Sequence, residues 1–206
     1  MLHYPKPLEE MIEHFCRFPG IGAKTAERLA FFLLQESDEF TRAISSSLLN
    51  LKSNLRKCEL CGNLSEDKLC LICDDPGRDK TRICVVEEIK DIIAIEKTEV
   101  FTGSYHVLGG VISPLKGIKP EDLSIQFLLK RVLSSKPEIL EVILALNPSL
   151  EGETTAIYLK NLLLTYPVNL SQIVYGVPLG GDLEFTDKVT LGRSLRDRKL
   201  LKKKEN

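Results

Sequence analysis

Four cysteines in one short segment constrain this chain more than any other feature of its sequence. Cys58, Cys61, Cys70 and Cys73 form the pattern C-x2-C-x8-C-x2-C. Each C-x2-C turn offers two thiolates to one ion, and the loop between the pairs can fold back to complete a tetrahedron of sulfur ligands. Such a short segment has little core of its own, so a bound metal would supply much of its folding free energy. The spacing predicts a small finger over residues 58–73 that holds structural Zn²⁺.

Two other interpretations of these cysteines are a pair of redox C-x-x-C motifs and four unligated thiols. The opening MLHYPKPLEE lacks the basic and then apolar run of a secretory signal, and no stretch is apolar for long enough to span a bilayer. We therefore expect a cytoplasmic protein, where a reducing environment favours metal ligation over disulfides. Four thiolates leave no open coordination position, so a catalytic zinc is not expected. Cys16 and Cys84 fall within apolar helix and strand patterns and are expected to be small core residues.

Residues 7–50 have the periodicity of helices, interrupted by PGIG at 19–22, because a proline and two glycines cannot continue a helix. Such a turn exposes backbone N–H groups at the start of the following helix, where the helix dipole also favours an anion. Lys24 and Arg28 are four residues apart and so lie on one face, and Thr25 adds a hydroxyl. Gly20 and Gly22 belong to the turn itself.

This element predicts a helix-hairpin-helix that holds the DNA backbone without reading bases, with those five residues as its contacts. The alternative is a plain helix–helix connection that carries two solvated basic residues. The net charge of −1 offers no general attraction to DNA, since residues 58–192 carry 13 basic and 20 acidic side chains. DNA binding would therefore depend on local donors and on several copies of the chain.

From Arg82 onward, strand and helix patterns alternate. The expected strands are RICVVE, VFTGSYHVLGG, ILEVILAL and SQIVYG, and the expected helices are IKDIIAIEKT, EDLSIQFLLKRVLSS and GETTAIYLKNLLLTY. Continuous apolar strands that alternate with helices predict a mostly parallel sheet covered on both faces.

The carboxyl ends of the first and third of these strands bring polar residues to one edge of the sheet. Glu87 ends the first strand, and Asn147 follows ILEVILAL; Glu151 and Glu153 open the next helix. Magnesium-assisted phosphoryl chemistry needs two or three converging carboxylates, but an amide stands at 147. We expect an acidic protein-docking surface here, with simple helix capping and solvation as the alternative.

The order of these modules resembles the RecR family of bacterial recombination mediators over nearly the whole chain. FPGIGAKTAERLAF is similar to the family's hairpin, and CELCGN with CLICDD is similar to its zinc finger. RDKTRICVVEE, GSYHVLGGVISPLKGI and LALNPSLEGETTAIYL resemble its Toprim domain, and GVPLGGDLEFTDKVTLGRSL resembles its C-terminal signature. Hairpins and four-cysteine fingers recur widely, whereas the ordered set is specific to the family.

The resemblance implies a ring-like tetramer that works with RecO and RecF and helps to place RecA on single-stranded DNA. It assigns DNA contacts to Lys24 and Arg28, and RecO docking to an acidic patch with Glu87 and Glu151. Related Toprim enzymes carry an Asp-x-Asp pair where this chain has NPS at 147–149, so catalysis is not expected.

Two features depart from the family pattern. Many relatives carry a basic residue shortly before the GVP segment, where this chain has Gln172 and Tyr175. This puts in question any role of that basic group in DNA contact or ring assembly. The tail KLLKKKEN is expected to be a solvated terminus, with non-specific attraction to DNA as the alternative.

These features predict a mixed fold with a helical hairpin region over residues 1–57 and a four-cysteine zinc finger over 58–73. A Rossmann-like Toprim domain is expected over 81–176 and a C-terminal extension over 177–206. The expected function is a non-enzymatic DNA clamp in recombinational repair, associated with the nucleoid and without a membrane or small-molecule ligand. One alternative is a magnesium-dependent Toprim nuclease or primase-like enzyme that uses Glu87, Glu151 and Glu153. The other is an adaptor that binds only proteins.

Overall fold

The computed structural model describes residues 4–177 and 179–199. The chain divides into two compact units, residues Met1–Leu55 and Arg56–Asn206. The predicted basic tail lies outside the described residues from position 200 onward. None of the helices in the described ranges combines the length and the apolar character that a membrane crossing requires.

The described residues of the first unit form three helices, in the segment where the sequence predicts helical structure. They are α1 (Lys6–Cys16), α2 (Ala23–Gln35) and α3 (Asp38–Asn54). Ala26 and Ala30 are buried on α2, where their small side chains let α1 approach closely. The expectation that Cys16 is a core residue is wrong: it ends α1, which buries none of its residues fully, and its thiol is exposed.

The second unit begins with the finger. Strands β1 (Arg56–Lys57) and β2 (Leu64–Ser65) form an antiparallel pair, and a short helix α4 (Leu71–Asp74) follows. The four-stranded sheet comes next, with β3 (Asp79–Val86), β4 (Gly103–Val107), β5 (Glu141–Ala145) and β6 (Asn169–Gln172). Its order is β4-β3-β5-β6 and every pairing is parallel, which confirms the predicted parallel sheet.

Helices cover both faces of this sheet, and side-chain alternation along β3 shows how. Ile83 and Val85 point into the larger core, which α6 (Ile125–Ser134) and α7 (Leu150–Leu163) complete. Cys84 and Val86 point to the opposite face, toward α5 (Ile89–Glu96). The buried position predicted for Cys84 is therefore confirmed. A last helix, α8 (Lys188–Arg196), belongs to the C-terminal segment.

Several element boundaries differ from the sequence prediction, and contacts in the fold account for two of them. The predicted helix from Glu121 onward begins only at Ile125, because residues Pro120–Asp122 form a separate 3-10 turn. The Ser124 hydroxyl then donates to the Val107 carbonyl, which ties this position to the sheet. Strand β6 starts at Asn169, two residues before the predicted start, because it pairs along β5 from Glu141.

Candidate functional site

The four predicted cysteine ligands come together in a compact, buried cluster. All four Sγ atoms lie within 4.8 Å of one another, and Sγ of Cys61 is 3.6 Å from Sγ of Cys70. Each cysteine is at most 6% exposed. Four sulfurs at this separation match the tetrahedral donor set that zinc takes in closed structural sites. The finger therefore forms a structural zinc site, as the spacing predicts.

Backbone N–H groups in the finger point at the sulfurs and prepare them to carry negative charge. The N–H of Cys70 donates to Cys58 Sγ at 3.3 Å, and that of Asn63 donates to Cys61 Sγ at 3.4 Å. Gly62 takes a left-handed φ of 78°, which lets the first turn close. Burial opposes ionisation of Cys58, but the backbone N–H groups of Cys70, Leu60 and Cys61 lower its pKa to about 7. The side-chain hydrogen bond with Cys73, burial and the charge of the neighbouring thiolates raise the pKa of Cys61, so a cation is needed to hold this sulfur as a thiolate.

One main-chain and one side-chain hydrogen bond join the finger to the sheet. The N–H of Val107 in the edge strand β4 donates to the carbonyl of Cys61 at 2.8 Å. Lys80 Nζ donates to the carbonyl of Cys73, also at 2.8 Å. An unpaired strand edge is a template for unwanted pairing, and here the first cysteine turn occupies part of it. The zinc site thus stabilises the sheet edge as well as its own loop.

Arg131 is a contact of the finger that the sequence analysis missed. It lies on α6, is only 7% exposed, and donates to the carbonyls of Tyr105 and Leu60 and to the hydroxyl of Ser104. Burial lowers the pKa of this guanidinium, while the cysteine thiols nearby raise it. Zinc with four thiolates carries two negative charges, so Arg131 acts as a counter-charge beside the cluster. In the sequence, only the position of Arg131 at the margin of the apolar face of an amphipathic helix indicates that this residue is buried.

In the helical unit, the structure places the predicted hairpin residues around the start of α2. Gly20 has φ 79°, a conformation that favours glycine, while Gly22 is the extended N-cap and has no side chain to cap the helix. Lys24, Thr25 and Arg28 are exposed. Lys24 and Arg28 line a groove of about 410 Å³ along α2. The helix start therefore offers uncapped N–H groups next to two exposed cations, the arrangement that binds a phosphate.

At the sheet edge, Glu87 is bound by Asn147 instead of facing solvent. Its Oε1 accepts from the Asn147 backbone N–H at 2.6 Å, and its Oε2 accepts from Asn147 Nδ2 at 2.7 Å. Glu87 is 8% exposed. Gly152 in the first turn of α7 packs so closely that an added Cβ would lie 2.2 Å from the Asn147 carbonyl. The backbone N–H and the side-chain amide of Asn147 thus bind both carboxylate oxygens that a metal would need at this position.

The other two carboxylates predicted at this edge of the sheet, which we call the acidic edge together with Glu87, have separate environments. Glu151 is partly exposed in the first turn of α7, and Glu153 forms an ion pair with Arg193 of α8. Within residues 4–177 and 179–199, the four cysteines are the only group of three or more acidic, histidine or cysteine side chains arranged to hold a metal. The carboxylates Glu87, Glu151 and Glu153 do not form such a group.

Gln172 and Tyr175, which stand where the sequence resemblance leads us to expect a basic residue, contact each other. Tyr175 donates its hydroxyl to the Leu146 carbonyl at 2.8 Å and accepts from Gln172 at 3.5 Å. The guanidinium of Arg193 lies 5.8 Å from the centre of the Tyr175 ring. A cation from the C-terminal segment therefore lies beside Tyr175.

The structure contains three modules: a helical hairpin, a four-cysteine finger and a parallel α/β sheet. Together they define a class of protein in which a helix-hairpin-helix is combined with a structural zinc site and a Toprim domain. Comparison with family models agrees for each part. Residues 8–52 match the RecR helix-hairpin-helix model, 55–75 the RecR four-cysteine zinc finger, 81–174 the Toprim domain and 176–199 the RecR C-terminal model. The chain belongs to the RecR family. This membership supports a role in recombinational DNA repair.

Proposed function

We propose that this protein is a non-enzymatic DNA clamp that acts with RecO and RecF to place RecA on single-stranded DNA. Its modules are the hairpin region (1–57), the finger (58–73), the Toprim domain (81–176) and the C-terminal extension (177–206). We propose that several copies, arranged as a tetramer, engage one DNA molecule in the bacterial nucleoid. The observation that carries the proposal is the uncapped start of α2 beside exposed Lys24 and Arg28.

The hairpin is suited to the phosphate backbone rather than to bases. Its donors are backbone N–H groups, the Thr25 hydroxyl and two cations, and each of these recognises an anionic oxygen. Gly20 and Gly22 have no atoms within 4 Å of an added Cβ, so the main chain stays open to close approach by a strand. Contacts of this type bind all sequences alike and depend strongly on salt.

The acidic edge supports a docking role better than a catalytic one. Glu87 is buried and its carboxylate is satisfied by Asn147, so it orders the start of α7. Glu151 is more exposed and is the carboxylate that we assign to direct contact with RecO. A magnesium-dependent nuclease or primase would require Glu87 to leave the Asn147 amide, and leaving a donor unpaired costs roughly 1–3 kcal/mol.

The test is fluorescence anisotropy of labelled DNA across a salt series, with zinc-loaded protein and magnesium present. Lys24→Ala/Arg28→Ala is compared with the wild type and with Lys116→Ala/Lys160→Ala, which removes the same charge from exposed positions elsewhere. Loss of two phosphate contacts per subunit should lower the slope of log affinity against log salt by about 1.4 for each subunit that contacts the single strand. The control pair should bind as the wild type does.

Strand length is checked on a gel after each titration. A hairpin variant with an unchanged salt slope would contradict the clamp assignment. Shortened strands that disappear with Glu87→Gln would instead support the enzyme. Intact strands and no binding, alone or with RecO present, would leave the adaptor that binds only proteins.

A further inference from the structure

A second concentration of positive charge lies in the α/β unit, in a part of the chain that is acidic as a whole. A cleft of about 430 Å³ opens beside the finger and the last turn of α6. Its charged lining residues are Lys80, Lys130, Arg131 and Lys136, and none of the described residues that line it is acidic. Cys73 of the zinc cluster also lines the cleft, but the cations outnumber this thiolate, and a cleft rich in one sign of charge attracts ions of the opposite sign. We call it the basic cleft.

Two of these cations are held in place and two are free to bind. Lys80 donates to the carbonyl of Cys73, and Arg131 is buried on its three hydrogen bonds. Lys130 and Lys136 are exposed, and neither takes part in any of the ion pairs found among the described residues. Lys80 and Arg131 lie beside the negative zinc cluster and offset its charge, so the two exposed lysines supply the positive charge that a ligand meets.

The last turn of α6 does not cancel this positive field. The carboxyl end of a helix carries partial negative charge on its unpaired carbonyls. Here the Ser134 hydroxyl donates to the Lys130 carbonyl at 2.8 Å, and the Ser135 hydroxyl donates to the Arg131 carbonyl at 2.7 Å. The Arg131 carbonyl also accepts from the Ser135 N–H, so both carbonyls are hydrogen-bonded within the last turn.

An aromatic ring lines the same cleft. Phe127 is 46% exposed, and its ring stacks on His106 with centroids 6.1 Å apart and planes at 25°. The buried imidazole supports one side of the ring and leaves the other side accessible. Cations beside a supported aromatic ring are the pattern of single-strand binding, in which lysines follow the backbone and a base stacks on the ring.

We propose that the basic cleft binds single-stranded DNA, with Lys130 and Lys136 on the phosphodiester backbone and Phe127 against a base. This inference rests on the proposed function in assigning DNA to the chain, but it uses different residues in a different structural unit. The duplex is a poorer ligand, because its paired bases cannot stack on Phe127.

The experiment measures binding of a labelled oligothymidine to Lys130→Ala/Lys136→Ala between about 50 and 200 mM salt, beside the Lys116→Ala/Lys160→Ala control. Losing two phosphate contacts on one subunit should lower the slope of log affinity against log salt by about 1.4. When salt rises across this range, the factor by which affinity falls should therefore be about sevenfold smaller for the variant than for the wild type. Phe127→Leu, which keeps apolar contact with His106, should weaken binding to the single strand more than to a duplex. Zinc content and urea midpoints confirm that each variant is folded.

The hairpin variant Lys24→Ala/Arg28→Ala, run in parallel, separates the two proposals. If it loses binding while the cleft variant matches the control pair, the basic cleft is refuted and the hairpin stands. If the cleft variant alone loses binding, the cleft is supported and the hairpin assignment fails. A wild type that binds no strand overturns both. Competition by oligoglutamate as strong as that by unlabelled oligothymidine at equal charge would assign the cleft to an acidic peptide and overturn the proposal.

Discussion

Of the two histidines in the described ranges, the fold removes His106 from solvent. His14 lies on the exposed side of α1, whereas His106 is 1% exposed in β4. Nε2 of His106 lies 3.0 Å from the carbonyl of Ser124, while its Nδ1 is buried without a partner among the described residues. Burial, opposed by the Ser124 hydrogen bond and aided by Arg131, lowers the pKa of His106 to about 4.

This depressed pKa predicts that His106 makes stability depend on pH. The unfolded chain takes up the proton near pH 6.5, whereas the folded protein resists it down to about pH 4. The contribution of a neutral His106 is therefore complete above pH 6.5 and is lost as the pH falls toward 4. Between about pH 7.5 and pH 5 this amounts to about 2 kcal/mol of unfolding free energy. Urea titrations at the two pH values measure it.

His106→Leu should lower the stability itself but reduce its fall between the two pH values by that amount. His14→Gln is the matched control, because the exposed imidazole should leave the fall unchanged. An equal fall in His106→Leu and in the wild type would show that other groups, such as the zinc thiolates, carry the whole pH dependence.

At the scale of the element, the finger and the sheet edge should respond together to zinc. Removing the metal with a chelator leaves four buried thiols that the loop alone cannot hold together, so residues 56–75 should unfold locally. The N–H of Val107 loses its acceptor on Cys61, whereas the N–H groups of β3 keep their partners within the sheet. Amide exchange at Val107 should therefore accelerate while exchange in β3 stays slow.

Cys58→Ser should reproduce this exchange pattern without a chelator and lose the zinc. Cys16→Ser is the control, since its thiol is exposed and distant in sequence from the cluster. Zinc should also leave more readily as the pH falls, because protons compete with the metal for the thiolates. Uniform exchange across the sheet after zinc removal would show that the finger stabilises the whole domain instead of one edge.

Elements with a strong local signal were predictable from sequence, and contacts between distant positions were not. The cysteine spacing specified the zinc ligands, because two short turns can present four sulfurs with little help from the rest of the chain. Apolar runs specified the parallel sheet. The pairing of Glu87 with Asn147 and the burial of Arg131 depend on strands and helices that meet only in the fold. The start of α6 was misplaced because acidic residues suit a 3-10 turn as well as a helix start.

For the whole molecule, charge limits what one copy can do. The net charge is −1, and the hairpin offers only two cations to a strand. A protein that holds six to ten phosphates owes most of its affinity to those contacts, so one hairpin alone should bind weakly. Several copies on one strand convert later contacts into intramolecular ones, which can raise affinity by about 10²–10⁴-fold. Assembly should therefore decide whether the clamp holds DNA.

This predicts that adding defective subunits to the wild-type protein will reduce affinity by more than their share of the mixture. Wild-type protein is co-refolded with increasing shares of Lys24→Ala/Arg28→Ala subunits, and anisotropy is measured on strands of about 10 and about 60 nucleotides. On the long strand, where several hairpins contribute together, a minority of defective subunits should already cost most of the affinity. On the short strand, which one hairpin can cover, affinity should fall in proportion to the share of defective subunits. Mixing in Lys116→Ala/Lys160→Ala subunits should change neither curve. Proportional loss on both strands would mean that each subunit binds DNA independently and that assembly serves another purpose.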